Sequence, residues 1–279
     1  MSRRLLEGVI TAVRSRVDVT DARVDRITVG EAAVMVELEG VGDAGTVAGL
    51  AHRPPGPIRE LPEEPDALLE AAAEGGDSPA GAVRRAVAIA GCNAFSAPYI
   101  GWTPGDPMAL LDRDVSTIAT VGLFRPAFGK FSDVDVRVIE RRTDREPPEP
   151  DALPPGVRVS MHAPESARAA MAGAEVVFIT GSALIYGGVD RYLDAVDRSA
   201  TVVLIGATAS FLPAPAFEAG VDVLAGGSVT DVDAARAALK DGACGTGLHE
   251  TGVTKGYVTA GYPAGIELGT ETNATDEHT

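Results

Sequence analysis

Apolar residues recur every three or four positions at the start of the chain. Leu5, Leu6, Val9, Ile10 and Val13 fall on one face, which predicts an amphipathic helix over Arg3–Ser15. The period then changes to two. Arg23–Val29 and Ala32–Glu39 read as strands joined by a tight turn at Gly30–Glu31, with Val34, Val36 and Leu38 lining one face of the second. Val47–Leu50 adds a third short strand. Helical patterns return over Asp66–Ala73 and Ser78–Ala90. Ser78 and Pro79 open the second as N-cap and first helical residue, and Gly91 is read as its end.

Pro98, Pro104, Pro107 and several glycines then mark a linker, with a helical turn near Met108–Leu111. From Ser116 the order is strand, helix, strand. Strands are predicted at Ser116–Val121, Val134–Ile139, Glu175–Thr180, Ala200–Ile205 and Val221–Leu224, and helices at Ala163–Ala172, Val189–Ala195 and Val232–Lys240. A continuous run such as Val176–Ile179 implies burial on both faces. Thr143–Gly156 reads as a Pro- and acid-rich loop. The fold class is α/β: a small α+β unit, then a doubly wound parallel sheet. Expected boundaries are 1–94 for the first unit, 95–114 for the linker, 115–262 for the sheet unit and 263–279 for a disordered acidic tail.

In open parallel sheets, ligands sit outside the C-terminal strand ends. Three strands here end in small residues. The first runs into Gly122-Leu-Phe124-Arg-Pro126, which departs from the Gly-rich diphosphate turn because Phe124 and Pro126 stand where phosphate would approach. Glu140 ends the second strand, where an acid can bind a ribose diol or stand in a solvated charge cluster with Arg141 and Arg142. Thr180, Gly181 and Ser182 end the third. With Thr208 and Ser210 on the next rim they suit an anionic group, or serve only as turn and cap residues.

Charge sharpens this picture. The net charge is −16, and only three of the 24 basic residues are lysine. That balance suits a high-salt cytoplasm, where ions screen self-repulsion, and it argues against nucleic acid as a partner. Melting temperature is expected to rise as potassium chloride goes from low to molar levels; a flat or falling curve would remove the halophilic reading. Lys130 and Lys255 are singled out because a chain that otherwise uses Arg retains a compact ammonium there, while Lys240 ends a helix. No 18-residue apolar run suggests a membrane span, and no signal peptide is visible, so a cytoplasmic protein is expected. Homo-oligomerisation stays open.

Cys92 reads as a small core residue. His249, Glu250 and Cys244 form either a soft metal cluster or an ordinary polar loop. No Ser-His-Asp order or nucleophile elbow is visible.

The stretches VGLFRPAFGKF, VRVIERR, VVFITGSALIYGGVD, VVLIGATASFLPAPAF and GVDVLAGGSVTD follow one another from Val121 to Thr230. In this order they resemble a family of unknown-function proteins labelled putative heavy-metal chelation. The resemblance implies an N-terminal domain similar to the enolase N-terminal domain, a C-terminal Rossmann-like domain, and an active site in the cleft between them. Matching positions are Asn93, Gly122, Phe124, Pro126, Lys130, Glu140, Thr180, Gly181, Ser182, Gly206, Thr208, Pro213 and Gly226. The expected function is binding of a small anionic ligand, or of a heavy-metal ion held through such a ligand. The rival is an enzyme using a nucleotide or S-adenosylmethionine. A third class is an assembly protein with a vestigial pocket.

Overall fold

The three- and four-residue spacing at the N-terminus forms helix α1 (Arg4–Arg16), with Leu5, Leu6, Val9 and Val13 buried. The computed structural model describes residues 4–74, 78–142, 144–243 and 246–268. The expected disorder of 269–279 falls outside them. Strands β1 (Arg23–Val29), β2 (Ala33–Glu39) and β3 (Val47–His52) form an antiparallel sheet in that order. Helices α2 (Pro65–Ala73) and α3 (Pro79–Ser96) cover one face of it. Helix α3 does not stop at Gly91. A Cβ there would lie 2.9 Å from Leu68 Cδ1, so the glycine is a contact point for α2, and burial of the following residues through Ser96 outweighs its helix penalty.

The rest of the chain builds an eight-stranded sheet, separate from the first. It contains β4 (Thr103–Pro104), β5 (Thr117–Val121), β6 (Asp135–Ile139), β7 (Arg158–His162) and β8 (Val176–Thr180), with α4 (Ala167–Met171) between the last two. After β8 come α5 (Ser182–Ile185), α6 (Val189–Leu193), β9 (Thr201–Ile205), α7 (Ala214–Glu218), β10 (Val223–Val229), α8 (Val232–Lys240), α9 (Thr246–His249) and β11 (Val253–Thr259). The strand order is β4-β11-β10-β9-β8-β5-β6-β7. The six strands from β10 to β7 are parallel, and β11 and β4 add an antiparallel edge. The Gly-rich GVTKGY stretch falls in β11 from Val253 onward. Its Gly256 pairs with Gly226, and Trp102 packs over both bare α-carbons.

The central strands are buried on both faces. Val177 and Ile179 face one core with α4–α7, while Val176 and Phe178 face another with Phe128 and Phe131. The chain steps from β5 to β6 and β7 across the second face, through 3-10 turns where α-helices would be usual. It then returns over the first face to β8, β9 and β10. Right-handed crossovers in opposite directions place the topological switch between β5 and β8.

Two segments differ from their sequence reading. Within 95–114, residues through Ser96 belong to α3, and Thr103–Pro104 pair with β11. Residues 264–268, read as tail, run back along the sheet unit: Ile266 is buried and bridges Leu111 because its side chain completes the second core. The units share their main core, since Leu5 of α1, Phe95 of α3 and Ala216 of α7 belong to one buried cluster. Helix α8 covers the far face of the small sheet, packing Leu239 near Met35 and Leu50.

Candidate functional site at the switch point

The parallel topology brings the ends of β5 and β8 together. Gly122 has φ +98°, a conformation open to glycine, and a Cβ there would lie 3.2 Å from Thr180 Cγ2. The Thr180 and Ser182 hydroxyls are 3.1 Å apart, and both side chains remain half-buried. Beside them, Phe124 is partly buried against the second core.

An anionic group at this rim could draw on hydroxyls or on backbone N–H groups. The structure directs the N–H groups elsewhere. Gly122 N donates to Ile139 O, Gly181 N to Ile205 O and Gly206 N to Ala225 O, each at 2.8–2.9 Å. These bonds extend the sheet ladder one residue past the strand ends. Helix α5 starts directly at Ser182 and has only four residues, so it is not a long helix with its N-terminus at the end of β8.

Gly181 has an ordinary helical φ of −56°. Its bare α-carbon is taken by the neighbouring turn: a Cβ would meet Ala209 N at 2.9 Å and Thr208 Cβ at 3.2 Å. Gly181→Val is therefore expected to destabilise the fold by about 1–3 kcal/mol through overpacking, read from the denaturant midpoint. An unchanged midpoint would show that the turn can yield. Gly206, at φ +121°, starts that turn.

Asn93 and Thr208 sit where the two sheets meet. Strand β3 is an edge of the small sheet, and its outward groups need partners. Asn93 Nδ2 donates to Leu50 O at 2.7 Å and to Ala207 O and Thr208 O at 3.2 and 3.1 Å. His52 N donates to Thr208 Oγ1 at 2.9 Å. Both side chains are buried and hold the small sheet to the rim turn, while Asn93 Oδ1 has no protein partner.

Glu140 ends β6 as expected, but its carboxylate accepts from Arg142 N and pairs with Arg145 at 3.3 Å. Those contacts fold the arginine loop back on itself and engage each Glu140 oxygen once. Arg141 leaves the loop and lies 4.0 Å over the Tyr186 ring, a cation–π contact. Burial pushes the Tyr186 phenol up, and Arg141, Arg142 and Arg145 draw it partly back. Tyr186 in turn faces His52, with ring centroids 6.5 Å apart. Sequence reading gave no role to Tyr186 and left Arg141 in a charge cluster. The ERR run was the available signal, but its aromatic partner comes from another strand end.

Lys130 has different company. Its ammonium pairs with Asp106 at 2.6 Å. Of the other positions matched by resemblance, Gly226 is bare to admit Trp102, Pro213 precedes α7, and Pro126 is exposed in a 3-10 turn. Among the described residues, no three His, Cys, Asp or Glu side chains converge as metal ligands. Cys92 is buried in α3, where burial pushes its thiol up to about 12. Cys244, the other soft donor considered with His249, lies outside the described residues. These donors do not fit a soft-metal centre built by protein alone. No helix among them is long and apolar enough to cross a membrane.

A family model described as DUF364, putative heavy-metal chelation, matches residues 106–257, just over half of the chain. Two solved structures of unknown-function proteins from that family share the fold. One, from Pyrococcus horikoshii, is 21% identical, covers 92% of this chain and 100% of its own, and has a TM-score of 0.73. The other, from Desulfitobacterium hafniense DCB-2, is 18% identical over 91% of this chain and 97% of its own, with a TM-score of 0.67. No curated protein matches the chain.

Proposed function

This chain belongs to the DUF364 family, described as putative heavy-metal chelation, and from that membership we propose that it binds a small anionic ligand, or a metal carried by one, at the β5–β8 switch point. The metal is cargo in this reading. Its donors come largely from the small molecule, which accommodates the family description to a site poor in His and Cys.

The observation that carries the proposal is the guanidinium of Arg141 stacked on Tyr186, whose backbone N–H donates to Ser182 O one turn after the Thr180–Ser182 hydroxyl pair. A cationic, hydroxyl-lined rim in a chain of net charge −16 is a local reversal of sign. Such reversals attract anions and raise their local concentration. With the N–H groups of Gly122 and Gly181 committed to the ladder, recognition falls to side chains: Arg141 supplies charge, Thr180 and Ser182 hydrogen bonds, and Phe124 an apolar wall. The ladder bonds of the Gly122 and Gly181 N–H groups weigh against the nucleotide alternative.

The test is native mass spectrometry and metal analysis of protein purified in molar salt without chelators. A co-purifying small acid or metal complex is expected. Arg141→Ala should reduce its occupancy at least tenfold, the loss of about 1.5–3 kcal/mol for a hydrogen bond to a charged group. No co-purifying mass in wild type, or equal occupancy in the variant, would overturn the assignment.

A further inference from the structure

Two of the chain's three lysines meet at one oxygen atom. Lys130 Nζ lies 2.6 Å and Lys255 Nζ 3.0 Å from Asp106 Oδ2. They arrive from unrelated places. Lys130 ends the 3-10 turn after β5, and Lys255 lies on β11 opposite Gly227. Asp106 is held from below: its Oδ1 accepts from Met108 N at 3.1 Å, capping the turn at Pro107–Ala109. One carboxylate thus fixes two ammoniums side by side and neutralises only one of them.

Burial alone would raise the Asp106 carboxyl, and hydrogen bonds from both lysines bring it below its ordinary value, so it stays ionised at neutral pH. Burial and then Lys255 hold the nearby His249 imidazole below its own ordinary value. The local charge is therefore one positive unit. Each ammonium has three donors and gives one to Asp106. The lysine side chains are 35% and 41% exposed, so the remaining donors can reach solvent.

The choice of lysine is informative. The chain uses Arg almost everywhere else, including the ion pairs among the described residues of its N-terminal unit. A planar guanidinium fork suits two carboxylate oxygens at once, whereas a compact ammonium can share a single oxygen with a second cation. A site meant only to neutralise Asp106 would need one cation.

We propose that Lys130, Lys255 and Asp106 form an oxyanion-binding site that receives the phosphate or carboxylate group of a small acid between the two ammoniums, with Asp106 as the positioning residue. This inference stands apart from the switch-point reading and uses none of its residues.

Three lysines make the test direct. Protein labelled with carbon-13 at lysine Cε gives three signals, titrated with inorganic phosphate or with acetate at ionic strength held constant by potassium chloride. The signals of Lys130 and Lys255 are expected to move together and saturate, with Lys240 unmoved; the anion that saturates at lower concentration identifies the preferred group. Lys130→Gln should weaken the saturable shift at Lys255 at least tenfold, with its melting temperature measured alongside. The proposal is overturned if neither anion gives a saturable shift in wild type, or if Lys240 responds like the other two. It is equally overturned if a folded Lys130→Gln protein keeps the wild-type titration at Lys255.

Discussion

Replacing Asn93 by leucine is expected to lower stability by about 2–5 kcal/mol, read from the urea midpoint at fixed salt. One amide nitrogen, with two hydrogens, lies against the buried carbonyls Leu50 O of the small sheet and Thr208 O of the rim turn, and shares the part-buried Ala207 O. Leucine has similar volume and no donor. Ala207 O keeps its hydrogen bond from Ser210 Oγ, so the cost falls on Leu50 O and Thr208 O, at about 1–3 kcal/mol for each one left without a partner. Thr208→Val removes only the acceptor for His52 N and should cost less, about 1–2 kcal/mol. If Asn93→Leu unfolds at the wild-type midpoint, the junction is not held by this side chain. Asn93 was a candidate ligand contact on resemblance. Its hydrogen bonds make it a fastener between the sheets, upstream of any binding role.

Arg236→Ala should destabilise by about 3–5 kcal/mol. Glu37 is fully buried in β2, and Arg236 of α8 meets both of its oxygens, with Nε 2.8 Å from Oε1. Glu37 and then Asp233 hold the guanidinium above its ordinary value. Deleting the arginine leaves a carboxylate in the core without its counter-charge, which is costlier than the pair itself is favourable. Arg236 keeps 19% side-chain exposure, so the lower end of that range is the better expectation. The double variant Glu37→Met with Arg236→Met should recover much of the loss, because it removes the stranded charge along with its partner. A double variant no more stable than Arg236→Ala would mean that α8 docks through the ion pair and not through Leu239 and its apolar neighbours.

These two contacts show why part of the site could be read early and part could not. Val176–Ile179 is apolar at every position, so a doubly covered strand followed by Thr180-Gly-Ser182 was legible. Glu37 was not legible as buried, because β2 alternates and its second face reads as a solvent face. Only α8, placed by the fold some two hundred positions later, covers it. Gly91 likewise looked like a helix end. Its meaning depended on Leu68 leaning against it from another helix.

The sequence by itself determined most of the strands, though not β4, β7 or β11, that β5 and β8 end in small and hydroxylated residues, and that three lysines stand out among arginines. Those properties are local: side-chain shape, period and charge are written residue by residue. Tertiary structure alone decided the strand order, and with it which strand ends are neighbours at the switch point. It also decided where polar groups spend their hydrogen bonds. The N–H groups of Gly122, Gly181 and Gly206 looked available and are taken by carbonyls of adjacent strands. Lys130 and Lys255 looked unrelated and share one oxygen of Asp106. A hydrogen bond needs its partner within about 3 Å, and the chain sets that distance only after its crossovers have been made.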